Sequence, residues 1–168
     1  MGRISEPLPL CSSFDLSQFD CGEESLNYFL KKKSMKNQVS GASKTYVCTV
    51  DGKVVAYYSL ASGCVERKLA PGNIKRNMPD NVPVIILGRL AVDKEFAKLG
   101  LGSQLLRNAI LRSLNVSRTV GVKAVLVHAL SKQAKSFYCQ YGFIATPFNE
   151  NMLVYSLDNL KKSYLKKA

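Results

Sequence analysis

The stretch "VDKEFAKLGLGSQLL", residues 92–106, places two glycines, Gly100 and Gly102, between a strand-like run and a helix-like run. Glycine gives up more backbone freedom on folding than any other residue, so a pair at such a junction marks a tight turn or a close approach. Upstream, "VIILGRLAV" (84–92) reads as a largely buried strand. Downstream, Leu101, Leu105, Leu106, Ala109, Ile110 and Leu114 recur at the spacing of one helix face. A glycine-rich turn that opens a helix presents unpaired backbone N–H groups and the positive end of the helix dipole, so an anion is expected there. Two other phosphate-binding patterns fail on spacing. A Walker A loop closes with Gly-Lys-Ser/Thr, whereas here Gly102 is followed by Ser103 and Gln104, and a dinucleotide fingerprint wants a small residue where Leu105 stands.

Outward from this junction, "VKAVLVHAL" (122–130) is a second buried strand and "SKQAKSFYCQYGF" (131–143) a short helix ended by Gly142. "MLVYSL" (152–157) is a final strand, followed by a basic tail over 158–168. In the other direction, "RKLAPGNIKRNMPDNVP" (67–83) is a polar loop, with the next strand beginning at its last residue. "SKTYVCTVDGKVVAYYSLASGCVE" (43–66) is a hairpin turning at Asp51 and Gly52. "DLSQFDCGEESLNYFLKKKSMKNQVSG" (15–41) reads as helix in two pieces. Asp20 or Gly22 would cap the first, Leu26, Phe29 and Leu30 form its apolar stripe, and Gly41 closes the second. "PLPLC" (7–11) is an opening strand. This order predicts an α/β fold, α+β by a stricter definition: a mostly antiparallel sheet with a βαβ unit in its C-terminal half.

At 168 residues the chain is expected to form one domain, 1–168, with 46% hydrophobic residues, enough for a core and too many for general disorder. No apolar run approaches the roughly 20 residues of a membrane span. The opening "MGRISEP" lacks the apolar centre of a secretory signal, and Glu6 stands where an acylation pattern needs Ser or Thr, so a cytoplasmic protein is expected. Five cysteines without a Cys-x-x-Cys pair, and a single histidine, His128, argue against a zinc site or a disulfide framework. Reduced, mostly buried thiols are expected, with no metal. Charge says more. Twenty-four Lys and Arg against 12 Asp and Glu give +12, a field that favours a polyanionic partner: nucleic acid, an acidic protein or a phosphorylated cofactor.

Three segments in fixed order, "LGRLAVD", "KLGLGSQLL" and "AKSFYCQYGF", resemble the GNAT family of N-acetyltransferases across about residues 40 to 157. Within it the chain is similar to the acetyltransferase toxins of bacterial type II toxin–antitoxin pairs, through "LGRLAVD", "FYCQYGFIATP" and the N-terminal "FDCGEESLNYFLKKKSMKN". The resemblance implies a GNAT fold whose sheet splays at an acetyl-CoA site. It implies that the pyrophosphate is held by the loop Lys98, Leu99, Gly100, Leu101, Gly102 and Ser103, and the pantetheine arm by the strand at Leu90, Ala91 and Val92. The family has Arg or Gln where this chain has Ala97. Backbone N–H groups do not depend on that side chain, and Lys98 can add charge in its place.

The resemblance further implies that Tyr138 protonates the departing thiolate. A phenol of pKa about 10 can serve a thiol of about 8.5 when well positioned. Tyr141 is assigned to packing, and His128, mid-strand in "VLVHAL", to the interior. Glu66 and Glu95 are the remaining candidates for a general base, with nothing to single them out. An α-amine near pKa 8 needs a base less than a lysine side chain near about 10.4, which favours an aminoacyl-tRNA acceptor. Enzymes acting on cationic amines need carboxylates at the acceptor site, and this chain is short of them. Phosphate contacts to tRNA are available from Lys31, Lys32, Lys33, Lys36, Arg67, Lys75, Arg76 and Arg89, with Arg89 nearest the acceptor end because its strand leads into the cleft. The alternative is a protein N-terminus or a small amine as acceptor. The family also implies a cognate ribbon-helix-helix antitoxin with an acidic tail, and a homodimer.

Overall fold

In the computed structural model, residues 2–158, 160 and 161 are described. Seven strands form one mixed sheet in the order β1-β2-β3-β4-β5-β7-β6. They are β1 (Leu8–Pro9), β2 (Lys44–Val50), β3 (Lys53–Glu66), β4 (Asn81–Val92), β5 (Ala124–His128), β6 (Ile144–Thr146) and β7 (Asn149–Ser156). The chain divides into two units that share β3, β4 and the helix Leu101–Val116: one holds the described residues up to Ala61 with Leu87–Ala109, the other Ser62–Ile86 with those from Ile110 onward.

In the first unit β2 and β3 form the expected hairpin, with Val50 opposite Lys53. Its two turn residues, Asp51 and Gly52, both take positive φ (51° and 79°), the requirement of a tight two-residue turn that follows strand twist. The helical stretch that precedes it in the chain is α1 (Glu24–Tyr28), a π-helical turn (Phe29–Lys33) and α2 (Ser34–Ser40), closed by Gly41 at φ 83°. The widened turn has a local cause: the buried Ser34 hydroxyl donates to the Leu30 carbonyl at 2.5 Å, competing for a main-chain acceptor, and Lys33 departs from helical dihedrals (φ −120°, ψ −32°). Glu23 stands at the N-cap without a side-chain cap, so neither Asp20 nor Gly22 caps this helix. The core here gathers Leu10, Phe19, Phe29, Leu30, Val47, Val54, Tyr57 and Ala91.

In the second unit β4 runs parallel to β5; the chain connects them through α4 (Leu101–Val116), whose residues up to Ala109 belong to the first unit and the rest to the second, which gives the expected βαβ connection. All six residues of the predicted α4 stripe are buried, each full burial contributing roughly 1.5–3 kcal/mol for the larger side chains. The α5 helix (Lys132–Gln140) is capped by the Ser131 hydroxyl, which accepts from the Ala134 N–H at 3.0 Å. The core of this unit is Val65, Ala70, Ile74, Val82, Val84, Ala124, Leu126 and Val154.

Two expectations need correction, on the segment 67–83 and on the cysteines, and one strand is additional to those expected. The segment 67–83 is not all loop: it holds a 3-10 turn (Arg67–Leu69), the short α3 (Gly72–Lys75) and the start of β4, because Ala70, Ile74 and Val82 are drawn into the core. The sequence "IAT" forms the edge strand β6, antiparallel to β7. Among the cysteines only Cys48 is buried; Cys11, Cys64 and Cys139 are exposed and Cys21 is half-buried, all as free thiols. The tail beyond residue 161 lies outside the described residues, as does Asn159.

Candidate active site

The glycine junction begins where β4 ends. Asp93 is buried and tied on both carboxylate oxygens: one accepts from the Glu95 N–H at 2.9 Å, the other from the Asp20 N–H at 3.0 Å. Asp20 in turn pairs with Lys94 at 2.8 Å and accepts from the Gly22 N–H and the Asn27 amide. These contacts hold the Asp20 carboxyl well below the usual carboxylate range, the Lys94 ammonium being the largest cause. The knot anchors the chain just before the loop. Linear spacing gave no hint of it, since the partners are 73 residues apart.

Beyond the knot Lys98 and Gly100 adopt left-handed backbone, φ 67° and 79°. For glycine this costs little; for lysine it is strained, a condition that concentrates at ligand-binding loops. Among the described residues, none of the backbone N–H groups of Lys98, Leu99, Gly100, Leu101, Gly102 and Ser103 donates a hydrogen bond. Carbonyls are treated differently: the Gly100 carbonyl accepts from the Gln104 N–H and from the Ser103 hydroxyl, closing the first turn of α4. The result is a run of six free donors at the positive end of a 16-residue helix. Ala97, Lys98, Leu99 and Gly100 are exposed, so the loop is open to a ligand.

The strand before it is open as well. β4 pairs with β5 at three positions only, Val84, Ile85 and Ile86 against Ala124, Val125 and Leu126, and that ladder does not extend to Leu87 or beyond. Gly88 and Arg89 are exposed and Leu90 half-buried, unusual for residues of an inner strand, whereas Ala91 returns to the core.

Arg89 lies with its guanidinium carbon 4.0 Å from the centroid of the Phe29 ring, on the π-helical turn that carries Lys31, Lys32 and Lys33. Those three lysines and Lys36 are exposed. Arg89 and these lysines therefore belong to one unit, while Arg67, Lys75 and Arg76, also exposed, belong to the other.

In the second unit Tyr138 is 6% exposed on α5, with its ring edge-on to Phe137 at 5.2 Å and tilted on Phe143 at 5.4 Å. Burial pushes its phenol up to about 12, which keeps it protonated at neutral pH. Tyr141 packs on Phe137 but is 41% exposed. His128, expected inside, is exposed: β5 ends there, and the four preceding residues are the buried ones. Glu66 and Glu95 are exposed at separate places, Glu66 paired with Lys68.

Comparison with known proteins decides the class. The family described as "Acetyltransferase (GNAT) domain" matches residues 41–145, a span that includes the open strand, the donor loop and Tyr138. The chain belongs to the GNAT acetyltransferase family. A curated relative, the "tRNA-acetylating toxin" of Mycobacterium tuberculosis (strain ATCC 25618 / H37Rv), is 45% identical over 147 residues, covering 88% of this chain and 89% of its own. Among solved structures, AtaT complexed with acetyl-methionyl-tRNAfMet superposes with a TM-score of 0.88 at 30% identity, over 96% of this chain and 99% of that one. A Tyr-to-Phe mutant of AtaT bound to the C-terminus of the antitoxin AtaR and acetyl-CoA gives 0.80 at 30%, over 96% and 97%. The GNAT chain described here is thus an enzyme of the acyl-transfer class, with an open sheet, a donor loop at the head of α4 and a buried tyrosine on α5. Among its described residues no helix is long and apolar enough to cross a membrane, and no cluster of metal-ligating side chains occurs.

Proposed function

We propose that this protein transfers the acetyl group of acetyl-CoA to the α-amine of the amino acid on a charged tRNA, and so acts as a toxin that blocks translation. The observation that carries the coenzyme half is the run of six unpartnered backbone N–H groups over 98–103. A diphosphate is the ligand that such a row of donors at a helix N-terminus suits, whatever side chain stands at Ala97. Bound acetyl-CoA supplies an activated acyl group as a thioester. The segment of β4 beyond its pairing with β5, at Leu90, Ala91 and Val92, offers main-chain groups to the pantetheine arm, and an N–H there can hydrogen-bond the thioester oxygen as negative charge develops on it.

Tyr138 is the proton donor in this reading. Its phenol stays neutral below its raised pKa of about 12, so the hydroxyl proton is present when the thiolate leaves and can be replaced from solvent afterwards. A carboxylate or histidine base matters less here, because an α-amine of pKa about 8 is already partly neutral near that pH, and water can take its proton. The acceptor half rests on Arg89 with Lys31, Lys32, Lys33 and Lys36, and on Arg76 in the other unit, as phosphate contacts for the tRNA. The relatives' names support the same direction: tRNA acetylation in one, a complex with acetyl-methionyl-tRNA in another, antitoxin and acetyl-CoA together in a third. The reading takes 1–168 as one catalytic domain acting in the cytoplasm as a homodimer, restrained by a cognate ribbon-helix-helix antitoxin whose acidic tail meets the +12 surface.

The test is direct. The protein is incubated with labelled acetyl-CoA and total charged tRNA; label is expected on the aminoacyl moiety and absent when the tRNA is first deacylated. Label that appears instead on proteins or free amines, with charged tRNA untouched, overturns the acceptor assignment.

A further inference from the structure

We infer that Phe29 is a positioning residue for tRNA recognition: its ring, braced by Tyr57, fixes the guanidinium of Arg89 beside a turn of exposed lysines. The inference rests on the acceptor proposed above and concerns how this chain grips it.

The geometry starts in the core. Tyr57 is fully buried, with its ring edge-on to Phe19 at 5.5 Å and its hydroxyl donating to the Leu26 carbonyl at 2.7 Å. Phe29, 4% exposed, stacks on Tyr57 with centroids 6.2 Å apart and planes 20° apart. The ring platform is therefore held from beneath by a residue that is itself held at both ends. Arg89 lies over Phe29 at 4.0 Å, well within cation–π range.

This arrangement suits phosphate binding in a way that an arginine free in solvent does not. Stacking uses the flat face of the guanidinium and leaves its rim of N–H donors in plane and available. It also restricts, before any ligand arrives, the rotamers that an exposed arginine must otherwise give up on binding. Phe29 is the first residue of the π-helical turn, and Lys31, Lys32 and Lys33 complete it, all exposed. Such inserted turns recur at functional sites. Among the described residues, no ion pair engages Arg89, Lys31, Lys32, Lys33 or Lys36, whereas Lys68, Lys94, Lys123 and Lys135 each meet a carboxylate. One oriented fork beside several exposed point charges is a surface for closely spaced phosphates, as on an RNA strand.

A double-mutant cycle on the full chain, with charged tRNA as substrate, tests this. Phe29→Leu is expected to raise KM for charged tRNA about two- to fivefold, the fold-change that loss of a surface cation–π contact carries. Both kcat and acetyl-CoA affinity by calorimetry should hold. In an Arg89→Met background the same change should raise KM no further, and Phe29→Tyr, which keeps the ring face, should restore it. Phe19→Leu removes a ring that touches Tyr57 and not Arg89, so it should lower the thermal midpoint and leave KM alone. Equal effects of Phe29→Leu with and without Arg89, or an unchanged KM in a folded Phe29→Leu protein, overturn the inference. If Phe29→Leu does not fold, Arg89→Lys keeps the charge and loses the flat stack; a wild-type KM in that variant overturns it equally. A wild-type protein that binds acetyl-CoA but never labels charged tRNA sinks the acceptor reading itself, a different outcome from labelling that is indifferent to Phe29.

Discussion

Tyr138→Phe removes one oxygen and leaves the ring, so it separates the chemistry of α5 from its packing. The contacts at stake in the fold are the ring's: Phe137 at 5.2 Å and Phe143 at 5.4 Å survive the change. Among the described residues the hydroxyl makes no hydrogen bond, so stability at pH 7 should change by less than about 0.5 kcal/mol. At alkaline pH the two proteins should diverge. Burial raises the phenol from 10.0 to about 12, so the unfolded chain releases this proton first. The Tyr138 contribution is fully present below pH 10 and is lost as pH rises from 10 through about 12, a window of two units worth about 3 kcal/mol in all. The phenylalanine variant lacks this loss and should become the more stable protein above pH 10. Activity should move the other way. Removing a general acid costs about 10²- to 10⁴-fold in kcat, while KM for charged tRNA and the affinity for acetyl-CoA should stay near wild type.

The assay pairs initial rates of labelled acetyl transfer with thermal melts between pH 7 and pH 11. A variant that keeps wild-type kcat removes Tyr138 from the chemistry, even if the alkaline stability gain appears. A variant that loses activity together with several degrees of melting temperature at pH 7 shows instead that the hydroxyl supports the fold, and the general-acid assignment fails on that result too.

Three further changes probe the rest of the site. Gly100→Ala adds a methyl that meets nothing within 4 Å, so its effect is backbone strain at φ 79°; a loss of about 1 kcal/mol, a drop of about 2–4 °C in melting temperature, and weaker acetyl-CoA binding by calorimetry are expected, and unchanged coenzyme affinity would count against the loop. Arg89→Glu should abolish transfer to charged tRNA while sparing calorimetric acetyl-CoA binding; equal activity on tRNA in both proteins would remove Arg89 from the acceptor side. Asp20→Asn tests the knot before the loop: the depressed carboxyl contributes stability above pH 4 that is lost as pH falls below it, so the melting-temperature gap between wild type and variant should close on acidification from pH 5 to pH 2.

What the sequence made legible is the part of the site whose physics is local. A tight hairpin needs left-handed backbone at two neighbouring residues, and "DG" at 51–52 announces it; the junction at 98–103 does the same through Gly100, and the α4 stripe follows from period alone. Lys98 takes the same left-handed backbone without any sign of it, because a lysine does not report the φ imposed on it. Asp20 looked like a helix cap on its own segment, yet Lys94, Asp93 and their backbone recruit it from 73 residues away. His128 looked interior because its neighbours are apolar, and only the end of β5 leaves it outside. The same division runs through the active site. The proposed coenzyme half is a matter of backbone donors in consecutive residues and could be read from "KLGLGS". In the proposed reading the acceptor half rests on Arg89 meeting Phe29 across 60 positions of sequence, and the proton donor is a tyrosine whose proton affinity is set by what buries it. Those are properties of packing between segments far apart in the chain, and a one-dimensional pattern carries no mark of them, whereas consecutive backbone donors announce themselves through the glycines they need.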